Sequence, residues 1–302
     1  MKRILLFAVT NLLVVVAISF VIDLLGLRPY LTANGIDYQA LLIFCALFGF
    51  GGAFISLQIS RWSAKTAMGV RLIDLENPSN QLERRLADTV KSLCQRMELE
   101  TLPEIGIYRS PEVNAFATGP SRSRALLAVS TGLLENMDSR AVEGVLGHEV
   151  SHIANGDMVT MTLLQGVINT FVMFVARIAA IAIDNAMRSR DGERRNGGLG
   201  FFAQFMLVSL LESVLMILAS PVLYYYSRRR EYKADANSAR IAGAGTMIYA
   251  LEALKRSTQV RDERAPSLST FKINGHGHGL IAALYSSHPP IEARIEALRR
   301  GI

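Results

Sequence analysis

The sequence predicts a mainly α-helical membrane protein, with about four transmembrane helices and an α+β soluble domain assembled from two separate stretches of chain. Three observations predict it. Half of the 302 residues are apolar, the mean hydropathy is +0.27 and only 19% are charged, a balance outside that of ordinary soluble domains. Apolar runs occur in two pairs, each run near the ~20 residues that a helix needs to cross about 30 Å of hydrocarbon. Between and after the pairs lie segments with the periodicities of soluble helices and strands.

The first pair occupies residues 4–60, with spans at about 4–22 and 38–60, both free of charge. Lys2 and Arg3 resemble the opening of a signal peptide. A second apolar run follows with no small-residue cleavage site before it, so the first run is read as a retained anchor. Gly49, Gly51, Gly52 and Ala53 lack the Lys-Ser/Thr of a phosphate loop and read instead as small residues that let membrane helices approach closely.

Residues 66–157 form the first part of the soluble domain. Gln81 to Met97 has helical spacing, with Leu82, Leu86, Val90 and Leu93 on one face. EIGIYRS and ALLAVSTGLL read as strands, and NAFATG between them as a short strand or edge segment. The second membrane hairpin is expected at 158–226, with spans at about 158–183 and 199–226. Glu212 is the one charge in its second run, and Arg177 on the preceding run is its nearest partner. A structural ion pair is the favoured reading, a transport role the alternative. Residues 227–302 complete the soluble domain, with a helix through about Ala242, a second near Thr246 to Ser257 and a last one after Pro290.

Four arginines in residues 184–198 fall on the far side of a four-span arrangement. Lys2, Arg3, Arg61, Lys65, Arg228, Arg229, Arg230 and Lys233 fall on the near side. The balance places both termini and the soluble segments in the cytoplasm, with a buried or re-entrant hairpin as the alternative for the second pair. The net charge of +6 sits largely beside the apolar runs and forms no stripe with interleaved aromatics, which excludes a nucleic-acid partner. Cys45 and Cys94, one in an apolar run and one in a polar helix, make no disulfide framework and fit a reducing compartment.

Chemistry concentrates in VLGHEVSHIANGD. Residues 139–154 read as a helix capped by Asp138 or Ser139 and stopped by Asn155-Gly156. On it His148 and His152 lie one turn apart on one face, where two imidazoles can reach one metal ion, and Glu149 projects beside them toward a water. Asn155 and Met158 stand where the longer HExxHxxGxxH pattern has glycine and histidine, which excludes that class. Downstream, SRRREYKAD offers Glu231 as a third ligand and Asp235, one turn on, as acceptor for a ligand histidine; alone, this is a solvated helix face. His288 and Arg294 are candidate stabilisers of an oxyanion, or else a helix cap and a brace. His276 and His278 read as a mobile surface loop rather than a second metal site.

VLGHEVSHIANGD, NAFATG, AVSTGLL, SRRREYKAD and SSHPPIEARIEAL, together with the paired membrane runs, resemble the HtpX-type membrane metalloproteases of the M48 peptidase family over nearly the whole chain. The resemblance implies a zincin-like (gluzincin) cytoplasmic catalytic domain with one Zn²⁺ per subunit. It implies a multi-pass zinc endopeptidase of the bacterial inner membrane that clears misfolded or damaged membrane proteins. His148, His152 and Glu231 would be the ligands, Glu149 the base, and Asn114, Ala115 and Phe116 the strand that holds substrate by main-chain hydrogen bonds. A non-enzymatic membrane scaffold or holdase with a structural zinc is the rival. Such sites usually close with four ligands, commonly including Cys, and neither cysteine lies near these motifs.

Overall fold

The computed structural model describes residues 37–190, 199–257 and 288–301, with scattered positions between 15 and 26. Most of the first apolar run, and the segment holding His276 and His278, lie outside the described residues. In chain order the elements are α1 (Tyr38–Met68), β1 (Arg71–Leu72), α2 (Gln81–Arg96), β2 (Glu104–Tyr108), β3 (Ala115–Thr118), β4 (Leu126–Ser130), α3 (Thr131–Asn136), α4 (Ser139–Asn155), α5 (Asp157–Arg190), α6 (Gly200–Ala242), α7 (Ala244–Arg256) and α8 (Ile291–Arg299). The chain divides into two compact units, Met1–Ile55 with Thr162–Leu223, and Ser56–Met161 with Tyr224–Ile302.

The described part of the first unit is helical. Among the described residues, α1, α5 and α6 are long and apolar enough to cross a membrane, with mean hydropathies of 2.3, 2.0 and 2.1. α1 and α5 touch through small residues. A Cβ on Gly49 would lie 2.6 Å from Thr170 Oγ1, and one on Gly166 would lie 2.8 Å from Phe50. Gly51 and Gly52 do not share this role, since a Cβ there would meet nothing within 4 Å. Arg177 Nη1 meets Glu212 Oε1 at 2.5 Å, so the two charges expected to find one another do so.

One helix end and one helix junction differ from the sequence reading. α5 continues through residues 184–190, which polarity alone suggests is loop. α6 is one helix of 43 residues that runs past Tyr226 without a break. The hydropathy changes at Ser227-Arg228, but the residues that follow are adequate helix formers, so nothing there ends the helix.

The second unit holds a four-stranded sheet in the order β1-β2-β4-β3, with β2 and β4 parallel and the outer pairs antiparallel. ALLAVSTGLL is strand only to Ser130. That side chain accepts from Leu133 N–H as an N-cap, so Thr131 begins α3 instead of extending β4. One sheet face carries the main core, where Leu86, Val90 and Leu93 of α2 meet Val145, Leu146, Val150 and Ile153 of α4; Leu82, on the α2 apolar stripe by spacing, is exposed. The other face packs Tyr108, Phe116, Leu126 and Ala128 against Ala64 of α1.

α4 is the centre of this unit. Asp138 caps its start by accepting from Ala141 N–H, and Gly156 ends it in the left-handed region at φ 72°. Two glycines let its neighbours come close: a Cβ on Gly144 would lie 2.6 Å from Ala250 Cβ of α7, and one on Gly147 would lie 2.5 Å from Ser238 Oγ of α6. Ser238 Oγ–H in turn donates to Gly144 C=O at 3.1 Å. Glu231, Asp235 and Ser238 share one face of α6 at helical spacing, so this contact presses all three toward α4.

Candidate metal centre and active site

His148 and His152 project from one face of α4, and Glu231 from the facing side of α6. Their Nε2, Nε2 and carboxylate atoms converge: the two nitrogens are 3.1 Å apart, His148 Nε2 is 3.4 Å from Glu231 Oε2, and His152 Nε2 is 3.3 Å from Oε1. All three residues are buried, and together they are the one group of His, Cys, Asp or Glu among the described residues placed to hold a metal ion.

The other ring nitrogens fix the tautomers. His148 Nδ1 lies 2.8 Å from Asp235 Oδ1, and His152 Nδ1 lies 2.6 Å from Asp157 Oδ2. A carboxylate only accepts, so both Nδ1–H groups donate and both Nε2 lone pairs turn toward the same point. Two imidazole lone pairs and a carboxylate facing one another have no proton to share, and Glu231 Oε1 accepts no hydrogen bond among the described residues. That is a donor set for a cation.

Asp235 was expected as this acceptor; Asp157 was not. The sequence signal was present, five residues after His152, but it follows the helix stop, and spacing arguments carry no register across such a break. Arg294 holds Asp235 in a fork, Nε to Oδ2 at 2.7 Å and Nη2 to Oδ1 at 2.6 Å, and is 1% exposed. Its Nη1 is buried without a hydrogen bond among the described residues, 3.8 Å from Glu231 Oε2. His288 stands on the same carboxylate, with Nδ1 2.7 Å from Glu231 Oε2. Both candidate stabilisers therefore reach the centre, Arg294 with its Nε and Nη2 already engaged by Asp235.

Glu149 is 5% exposed beside the two histidines. Burial pushes its carboxyl above the ordinary carboxylate range, while the neighbouring imidazoles draw it back down, a setting in which a carboxylate takes up a proton readily.

β3 is the outer strand of the described sheet, next to α4. Ser130 N–H donates to Asn114 C=O, which makes 114/130 a hydrogen-bonded pair, and Phe116/Ala128 and Thr118/Leu126 the next two in register. Ala115 and Ala117 therefore turn their N–H and C=O groups away from β4, Ala117 half-buried and Ala115 buried. The Phe116 side chain packs on the sheet face away from α4, so its part in the strand is to anchor it.

Comparison with known proteins agrees with this geometry. The profile of Peptidase family M48 matches residues 80–302. The chain is 50% identical to the "Protease HtpX homolog" of Methylacidiphilum infernorum over 99% of its own length and 98% of the relative's. It is 48% identical to "Protease HtpX" of Chromohalobacter salexigens over 100% and 99% of the two chains, and 50% identical to that of Shewanella oneidensis over 99% of each. The crystal structure of S. mikatae Ste24p shares the fold, with a TM-score of 0.56 at 19% identity over 99% of this chain and 66% of that one. A mainly helical membrane protein, with its His-His-Glu centre on α4 and α6, thus meets a family match across most of its length: the chain belongs to peptidase family M48 and is a membrane-integrated metalloprotease.

Proposed function

We propose that the chain is a zinc-dependent endopeptidase, with one Zn²⁺ held by His148, His152 and Glu231. On this reading it cleaves misfolded or damaged membrane proteins at the cytoplasmic face of a bacterial inner membrane. The convergence of two Nε2 lone pairs with the Glu231 carboxylate carries the proposal. Ligand atoms of a tetrahedral zinc with bonds of about 2.0–2.1 Å stand about 3.3–3.4 Å from one another. The three separations here, 3.1, 3.4 and 3.3 Å, suit that ion as they stand.

When bound, the ion supplies Lewis acidity toward a scissile amide carbonyl. The chain's own residues do the rest. Glu149 takes a proton from the attacking water and returns it to the leaving amine. Asp157 and Asp235 hold the two ligand rings, and Arg294 holds Asp235. His288, on the Glu231 side of the centre, is the candidate donor to the developing oxyanion. The outer edge of β3 binds an extended peptide through Ala115 and Ala117, a mode that ignores side-chain identity and suits a protease of unfolded chains. The basic residues flanking the apolar runs support cytoplasmic placement.

Purified wild type and Glu149→Gln, both in detergent, test this. Bound zinc and cleavage of an unfolded protein are measured before and after zinc is restored to metal-free enzyme. Zinc in both with cleavage only by wild type is expected. Zinc in both without cleavage by either turns the reading toward the scaffold.

A further inference from the structure

Gln165, Asn169, Met173 and Arg177 recur every four residues on α5 and so form one stripe along it. Glu212 and Met216 of α6 meet that stripe. Arg177 Nη1 bonds Glu212, while Gln165 Nε2 donates to Asn169 Oδ1 at 2.7 Å and lies 4.0 Å from Met216 Sδ. At about 1.5 Å per residue from Asp157, Gln165 and Asn169 lie about 12 and 18 Å along α5, on either side of the middle of about 30 Å of hydrocarbon.

Two features leave this stripe incomplete. The Gln165 carbonyl oxygen and the Asn169 amide nitrogen make no hydrogen bond among the described residues, and both side chains are only half-buried. Water that would satisfy them at a protein surface is absent at that depth, where an unpaired amide is strongly unfavourable. The α6 flank is also thinly covered. Its apolar window is 6% buried, against 39% for α1 and α5. The α1 side of α5 is closed by the Gly49–Thr170 and Phe50–Gly166 contacts, and Val15 of the first run packs elsewhere, against Tyr38, Leu42, Cys45 and Phe174.

We propose that the Gln165–Asn169 stripe is a docking surface for a transmembrane helix of another polypeptide that carries a carboxamide side chain near the middle of the bilayer. A carboxamide offers one acceptor and one donor, which match the open Asn169 N–H and Gln165 C=O. A lipid tail offers neither. A helix that has lost its native partner exposes such a group to lipid, so pairing satisfies both sides. The proposal rests on reading the chain as a protease of membrane proteins and names the substrate feature it would select.

The test uses the full chain carrying Glu149→Gln in nanodiscs. Binding is measured by energy transfer to single-span poly-Leu peptides with no Asn, one Asn at mid-bilayer or one Asn at the headgroup end, at a density below peptide dimerisation. The mid-bilayer Asn peptide is expected to bind about three- to tenfold more tightly than the other two, and the preference to vanish in Gln165→Leu/Asn169→Leu. The three-peptide comparison is made on one protein, so it stands even where the double variant folds poorly. Equal affinities, or a preference that survives the double substitution, overturn the proposal. So does loss of self-association in the double variant with peptide preference unchanged, which makes the stripe a contact between copies of this chain. Binding is read without cleavage, so its failure is distinct from failure of wild type to hydrolyse an unfolded protein.

Discussion

Asp157 accepts a hydrogen bond from His152 Nδ1 at 2.6 Å from the far side of the helix break at Gly156, so the first residue of α5 orients a metal-facing side chain of α4. The left-handed Gly156 makes this possible, because a continuous helix would carry residue 157 away round the axis from 152. Asp157→Ala should therefore weaken zinc binding about 10–100-fold, while Asp157→Asn, which keeps an acceptor, should lose less. Competition against a zinc chelator measures both. An unchanged affinity in Asp157→Ala would mean that packing alone fixes the His152 ring.

Gly147 is predicted to be intolerant of a methyl group for a removable reason. A Cβ there would stand 2.5 Å from Ser238 Oγ, and that hydroxyl donates to Gly144 C=O. Gly147→Ala should lower stability by about 1–3 kcal/mol, as overpacking does, and Ser238→Gly on top of it should restore part of the loss. Thermal unfolding of the two single variants and the double closes the cycle. Additive losses would show that the clash lies elsewhere.

The metal-facing histidines were legible because one local rule, four residues per face, suffices to pair His148 with His152. Glu231 was legible as a pattern but its contact was not, since nothing in a sequence states that Gly147 opens α4 to α6. Asp157 and the His288–Glu231 bond were out of reach for related reasons: one lies past a helix stop and the other joins residues 57 apart in the chain. The fold class was read correctly from hydropathy, whereas the end of α5 and the continuity of α6 across Tyr226 were not. Hydropathy reports where apolar sequence ends, and these helices continue into polar sequence that still favours helix. For Asn114-Ala115-Phe116, the strand was expected, but which groups face outward depends on the register with β4.

Arg294 should prove a residue that acts through Asp235. Both are nearly inaccessible, and Arg294 bonds both Asp235 carboxylate oxygens. Arg294→Met should destabilise the metal-free protein by about 3–5 kcal/mol, because it leaves a buried carboxylate with only the His148 Nδ1–H beside it among the described residues. Asp235→Asn combined with Arg294→Met should recover part of that loss, since neither charge then remains. Denaturant unfolding of the metal-free proteins is the measurement. A single Arg294→Met variant as stable as wild type would show that Asp235 is hydrated there.

The register of β3 makes a prediction about substrate backbone. Only alternate residues of the strand, Ala115 and Ala117, direct N–H and C=O groups away from β4, so a bound extended peptide should be gripped at every second residue. Replacing one substrate N–H at a time by N–CH₃ removes one donor and places a methyl group against the strand where the bond had been. At gripped positions kcat/KM should fall about three- to tenfold, the effect of losing a hydrogen bond of about 0.5–1.5 kcal/mol, and at the positions between them it should change little. The loss should appear mainly in KM, because these bonds hold the peptide equally before and during the reaction. Exchanging side chains at the same positions should have a smaller effect than methylating the gripped amides. A uniform response along the peptide, or one side chain that controls cleavage a hundredfold, would place recognition in a side-chain pocket instead of on the strand edge.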